Sequence, residues 1–130
     1  MFRSASLHMP RLHGWSRKGF TVLELLVVVL ILGILATMAI MYLLGYREKA
    51  LIATLKSDLA SAYKSSIQYY ADNPSGSVTM DIITAYGYRQ SKDANLAVVD
   101  GSAESLSIIA THPGVQGVYQ VDESGHVSEQ

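Results

Sequence analysis

The sequence predicts an α+β protein: a long N-terminal α-helix, apolar in its first half and amphipathic in its second, with a small C-terminal antiparallel β-sheet packed on it. Three observations carry this. From Leu25 to Leu44 only Gly33, Thr37 and Tyr42 interrupt large apolar residues and alanine, a run of about 20 residues that matches the hydrocarbon thickness of a bilayer. Helical periodicity then continues without a breaker to Asn73-Pro74-Ser75-Gly76. Beyond it, short strand-like segments alternate with glycine and proline turns.

Charge is segregated along the 130 residues, although the formal total is only -1. Residues 1–19 carry Arg3, Arg11, Arg17 and Lys18 and no acid, whereas the rest holds six bases and eleven acids. Beyond Tyr70 there are two bases and eight acids. A basic head and an acidic tail therefore flank the apolar run, so the head is expected to stay cytoplasmic and the tail to be exported. The near-zero total gives no reason to expect a specific nucleic-acid partner. With no cysteine in the chain, a disulfide scaffold, a thiolate zinc site and a cysteine nucleophile are excluded.

An ordinary secretory signal places its cleavage site after a short apolar core. Here the basic stretch ends in Lys18-Gly19 and a much longer apolar run follows, so cleavage after that run would discard the anchor. An uncleaved anchor is the plain reading of hydropathy alone. The junction itself, Arg17-Lys18-Gly19-Phe20-Thr21-Val22-Leu23-Glu24-Leu25-Leu26, resembles the class III signal of type IV pilins and pseudopilins. The resemblance is strong from Arg17 to about Ala50 and includes Gly33-Ile34-Leu35-Ala36.

The resemblance implies a pilin-like fold, cleavage between Gly19 and Phe20 by a prepilin peptidase that recognises Lys18 and Gly19, and N-methylation of Phe20. It also implies that Glu24 attracts the α-amino group of a neighbouring subunit during assembly. The expected division is a leader at 1–19, a transmembrane and filament-core helix at 20–44, its amphipathic continuation at 45–72 and a globular domain at 73–130. Initiation at Met9 would leave a leader of 11 residues that still holds Arg11, Arg17 and Lys18.

Glu24 has a physical rationale beside the motif. A carboxylate at the centre of a spanning helix costs roughly 2.5–3.5 kcal/mol on insertion scales. Glu24, however, lies four residues from Phe20, about 6 Å along a helix, within reach of the headgroups. Snorkelling to that interface is the alternative to pairing. Many type IV pilins carry proline after the equivalent of Ala39-Ile40, where this chain has Met41, so its helix need not break there. Gly33 and Gly45 remain as weak points of about 1 kcal/mol each relative to alanine.

Past the span, Leu44, Leu51, Leu55, Leu59, Ala62, Tyr63 and Tyr70 fall on one helical stripe, with Glu48 inside it and Ile67 near its edge. A single helix from Phe20 to about Asp72 would run about 80 Å, too long for the remaining residues to cover. Lipid, or identical helices in a filament core, would have to cover the rest. Ser77–Tyr86 reads as a short helix capped by Ser77 or Thr79 and stopped by Gly87. Strands are expected at Leu96–Val99, Leu106–Thr111, Val118–Val121 and, as a short fourth, His126–Ser128. Asp100-Gly101, His112-Pro113-Gly114 and Glu123-Ser124-Gly125 supply the turns.

Nothing in the chain reads as catalytic, and no cofactor is implied. His8, His13, His112 and His126 lack metal-ligand spacing. Asp93, Asp100, Glu104, Asp122 and Glu123 include oxygens that suit calcium, but no EF-hand pattern relates them, and a solvated acidic surface is the preferred reading. Tyr42 and Tyr46 suit the outer membrane interface, and Tyr63, Tyr69 and Tyr70 are expected to cover the sheet.

The sequence thus points to a prepilin. It would pass through the inner membrane with its N-terminus cytoplasmic, be handled by a prepilin peptidase/methyltransferase and pilus assembly machinery, and form a homopolymer through its N-terminal helices. Adhesion, motility or uptake would follow from the extracellular fibre. A pseudopilin of a type II secretion system and a monomeric membrane-anchored ligand-binding domain are the alternatives.

Overall fold

The computed structural model describes residues 19–130. Residues 1–18 of the expected leader, with Lys18, His8 and His13, therefore lie outside the described residues. Six elements follow in order: α1 (Val22–Asp72), α2 (Met80–Ala85), β1 (Asn95–Asp100), β2 (Ser107–Thr111), β3 (Tyr119–Val121) and β4 (Val127–Glu129). The contacts divide the chain into one unit ending at Met38 and a second comprising Ala39–Gln130, and α1 contributes to both.

In the first unit the backbone becomes helical at Val22, two residues later than Phe20, because Thr21 caps it. The Thr21 hydroxyl oxygen accepts the Glu24 backbone N–H at 3.2 Å, and the Thr21 carbonyl accepts from Leu25 at 3.1 Å. Gly33 does not interrupt the helix, and the Thr37 hydroxyl bonds back to its carbonyl at 2.9 Å. Helical structure also continues unbroken through Met41 and Gly45, as the absence of proline predicts.

In the second unit α1 ends where Asn73 donates backbone and side-chain N–H groups to the Tyr69 carbonyl and Pro74 follows. The buried positions of α1 are Leu55, Asp58, Leu59, Ala62, Ser65 and Ser66. The apolar stripe is thus shorter than expected. Leu44 is 60 % exposed and Ile67 45 % exposed, while three polar residues enter the covered face. They do so because partners are present: Ser91 gives its backbone N–H (3.1 Å) and hydroxyl (2.7 Å) to Asp58, Ser65 bonds the Tyr86 carbonyl, and Ser66 bonds back to Ala62.

The short helix begins at Met80, later than the expected Ser77, with Thr79 as its cap. Ser77 instead forms a β-bridge with Ser102, and the Val78 N–H reaches the Gly101 carbonyl at 2.8 Å. Gly87, at φ +103°, ends the helix as anticipated.

All four strands form one antiparallel sheet in sequential order β1-β2-β3-β4. Its register aligns Val98 with Ile108, Ile108 with Val121 and Val121 with Val127, with a bulge between Val98 and Asp100. These side chains share one face, and with period 2 the alternate residues point outward. Ile108, Ala110 and Val121 are fully buried, in one core with Leu55, Leu59, Ala62 and Ile83. Two tyrosine hydroxyls tie the sheet loops to α1: Tyr63 donates to the Glu123 carbonyl at 3.2 Å and Tyr70 to the Gly101 carbonyl at 2.6 Å. Tyr69 packs edge-on against both Tyr70 and Tyr86.

Candidate functional site: the N-terminal processing and assembly segment

Gly19 and Phe20 precede the helix cap as non-helical, exposed backbone, and Phe20 is 80 % exposed. A protease needs an accessible backbone it can bind in extended form, and an α-helix denies it that. The cap at Thr21 leaves Gly19 and Phe20 outside the helix. A Cβ built on Gly19 meets no atom within 4 Å, so the described fold makes no demand for glycine there. Any requirement for a small residue at this position comes from a molecule other than the described part of the chain.

Glu24 is the third residue of α1 and the acidic residue of its first turn. A carboxylate at this end of a helix is favoured by the partial positive charge of the unpaired N–H groups. Thr21 and Glu24 have the Thr-x-x-Glu spacing of a capping box, and the Thr21 half of that motif is formed. The motif resemblance alone does not assign Thr21 this role, which the Thr-x-x-Glu spacing signals.

From Val22 onward the first turns expose a continuous apolar surface, in which Val22, Leu25, Leu26, Val29 and Leu30 line a shallow furrow. The spacing i, i+3, i+4, i+7, i+8 places these five on one helix face. Large apolar residues from Phe20 to Tyr46 are 43–82 % exposed. Burying each would yield about 1.5–3 kcal/mol, so the segment requires an apolar partner. By length and composition this part of α1 is able to cross a membrane. Tyr42 and Tyr46 lie at its C-terminal end, 72 % and 67 % exposed, as an interfacial location requires.

Two of the acidic candidates, Asp100 and Asp122, serve local structure. Asp100 accepts the Ser102 N–H and hydroxyl, and these hold its carboxyl below the usual range. Asp122 is lowered in the same sense, first by the Ser124 hydroxyl and then by the His126 backbone N–H. The structure brings Asp100, Glu104, Asp122 and Glu123 to the same end of the sheet through the β1–β2 and β3–β4 connections, whereas Asp93 precedes β1. No cluster of three or more metal-ligating side chains forms among the described residues.

Comparison with known proteins bears on the same segment. Residues 16–40 match the prokaryotic N-terminal methylation motif. The chain is 34 % identical over 98 residues to the type IV wide pilus major component PilA4 of Thermus thermophilus, an alignment covering 75 % of each protein. It is 40 % identical over 60 residues to the type II secretion system core protein G of Pectobacterium carotovorum, covering 46 % of this chain and 38 % of that protein. The corresponding protein of Klebsiella pneumoniae is 40 % identical over 57 residues, 44 % of this chain and 41 % of its own length. The chain thus spans about two fifths of these secretion proteins but three quarters of the pilus subunit. The methylation motif on a capped apolar helix, the four-stranded sheet that follows it and the extended similarity to a pilus component together show that this chain belongs to the type IV pilin and pseudopilin family.

Proposed function

We propose that the protein is made as a prepilin, is cut between Gly19 and Phe20, is methylated on the new Phe20 nitrogen, and polymerises into a type IV pilus-like surface filament. The observation that carries the pilus reading over the secretion reading is the extent of similarity. An alignment of 98 residues is longer than the 72 residues that end with α1, so it necessarily enters the C-terminal domain.

The physical sequence of events follows from the charges. The basic head keeps the N-terminus cytoplasmic, residues 20–44 span the inner membrane, and the domain at 73–130 lies outside the cytoplasm. Cleavage removes the head and leaves a positive α-amino group at Phe20, just before a helix N-terminus, where the macrodipole disfavours positive charge. Glu24 offers compensation four residues along the chain, and the amino group of an adjacent copy fits it best when the copies are offset by that distance. In an apolar surround such a pair is far stronger than in water. Extraction from lipid then exchanges one apolar environment for another, helix against helix.

Two substitutions in the full chain test this. With Gly19→Val the cellular protein should retain its leader and a mass near 14.1 kDa. With Glu24→Gln the protein should be cut normally, yet sheared surface filaments should fall at least tenfold. Processing of the Gly19 variant, or normal filament yield from the Glu24 variant, would overturn the proposal.

A further inference from the structure

Two surfaces of the unit Ala39–Gln130 carry opposite charge, and the contacts that hold the unit together leave both outward. The first lies on α1. Lys49, Lys56 and Lys64 are exposed and project within an arc of about 80° at 100° per residue. None has an acidic residue three or four positions away, where helices pair their charges. Exposed Ala53, Ser57 and Ala60 lie among them, so another chain can approach closely. The amino groups of Lys49 and Lys56 lie 6.0 and 5.8 Å from the ring centres of Tyr46 and Tyr119, contacts that place the cations without neutralising them.

The second surface is the end of the sheet from which the β1–β2 and β3–β4 connections emerge. Asp100 and Asp122 use an oxygen each on their own turns. Glu104 and Glu123 are exposed there, and their carboxylates accept no hydrogen bond from the described residues. Residues 73–130 carry seven acids and two bases, so the field at this end is not cancelled locally.

Within one subunit the two surfaces are held apart. Tyr63 and Tyr70 fix the acidic loops at their own level of α1, whereas Lys49 and Lys56 each lie 14 residues earlier, about 21 Å along the axis. The equal separations give one offset that satisfies both pairs. We propose that the lysine face of α1 binds the acidic sheet end of a second copy displaced by about 21 Å, Lys49 meeting Glu123 and Lys56 meeting Glu104. Because the two patches differ, the contact is heterologous, and repetition produces an open fibre instead of a closed dimer. The inference rests on the proposed polymerisation.

The test uses the full chain in cells, and the absence of cysteine removes any background from native thiols. Sheared filaments of Lys49→Cys/Glu123→Cys should yield a ladder of covalent multimers on oxidation, while each single variant should not. Lys49→Glu/Lys56→Glu should lower filament yield at least fivefold with an unchanged pool of processed subunit in the membrane. Adding Glu104→Lys/Glu123→Lys should restore the yield to within twofold. Normal filaments of the cysteine variant without a ladder, or reversals that neither impair nor rescue, would sink the inference and leave the pilin reading intact. Failure of the unaltered protein to form filaments would overturn both.

Discussion

The Tyr88 hydroxyl supplies a sharp test of the packing. Tyr88 is 2 % exposed and its oxygen has no hydrogen-bond partner among the described residues, while Asp58 nearby is occupied with Ser91. An unsatisfied buried hydroxyl costs about 1–3 kcal/mol in desolvation. Tyr88→Phe removes that cost and keeps the ring, so a gain of about 1 kcal/mol is expected. For a unit the size of Ala39–Gln130 this corresponds to a rise in Tm of about 4–8 °C. Burial first, and the Asp58 charge second, push the Tyr88 pKa well above its ordinary value of 10.0. The unfolded chain therefore loses this proton near pH 10 while the folded one keeps it. Stability is fully present below pH 10 and falls above it by up to about 1.4 kcal/mol per pH unit until the folded pKa is reached. The phenylalanine variant should lack this component, although Tyr70 and Tyr119, also raised by burial, keep some alkaline sensitivity. Thermal unfolding of the full chain in detergent micelles, followed by near-ultraviolet circular dichroism at pH 7 and 11, measures both effects. A Tm lowered by the substitution at pH 7 would show that the hydroxyl is satisfied and refute the reasoning.

Other perturbations probe different links. Gly125 has φ +81°, and a Cβ there would lie 2.7 Å from the Tyr63 ring, so Gly125→Ala should cost at least about 1–2 kcal/mol and lower the Tm by several degrees. Thr21→Val removes the cap on Glu24 N–H, and exchange of the Glu24 amide in micelles should accelerate about fivefold, equivalent to roughly 1 kcal/mol. Asp122 has a depressed pKa in the folded state, so its contribution is present above the ordinary carboxylate range and is lost as pH falls through that lower value. Acid titration of the Tm should accordingly show a decline below about pH 4 that is shallower in Asp122→Ala.

The long-range order of the fold was legible because three strong signals do not compete: an uninterrupted apolar run, a Pro-Gly stop after Asp72 and evenly spaced turns. Asp58, Ser65 and Ser66 were not legible as buried residues. Their burial depends on Ser91, Tyr86 and a bond back to Ala62, partners that periodicity does not reveal. Ser77 illustrates the same limit. Its cap-forming side chain suits a helix start, yet pairing with Ser102 captures its backbone and delays the helix to Met80. Strand ends shifted by one residue, as at Leu106, which is buried just before β2 begins at Ser107. Gly19, Phe20 and Glu24 were legible as parts of the motif that the methylation family model matches over residues 16–40. Thr21 matches the first position of a Thr-x-x-Glu capping box, but the apolar periodicity that marks the helix does not separate a capping residue from a first helical one.

The tyrosine ties between helix and loops have an evolutionary consequence. Tyr63 and Tyr70 grip main-chain carbonyls at Glu123 and Gly101, so these anchors read nothing of the side chains that the loops display. Glu104 and Glu123 are therefore silent with respect to folding. The outer coat of such a subunit is able to drift or diversify while its scaffold stays the same, and any constraint on those two positions records what the coat touches.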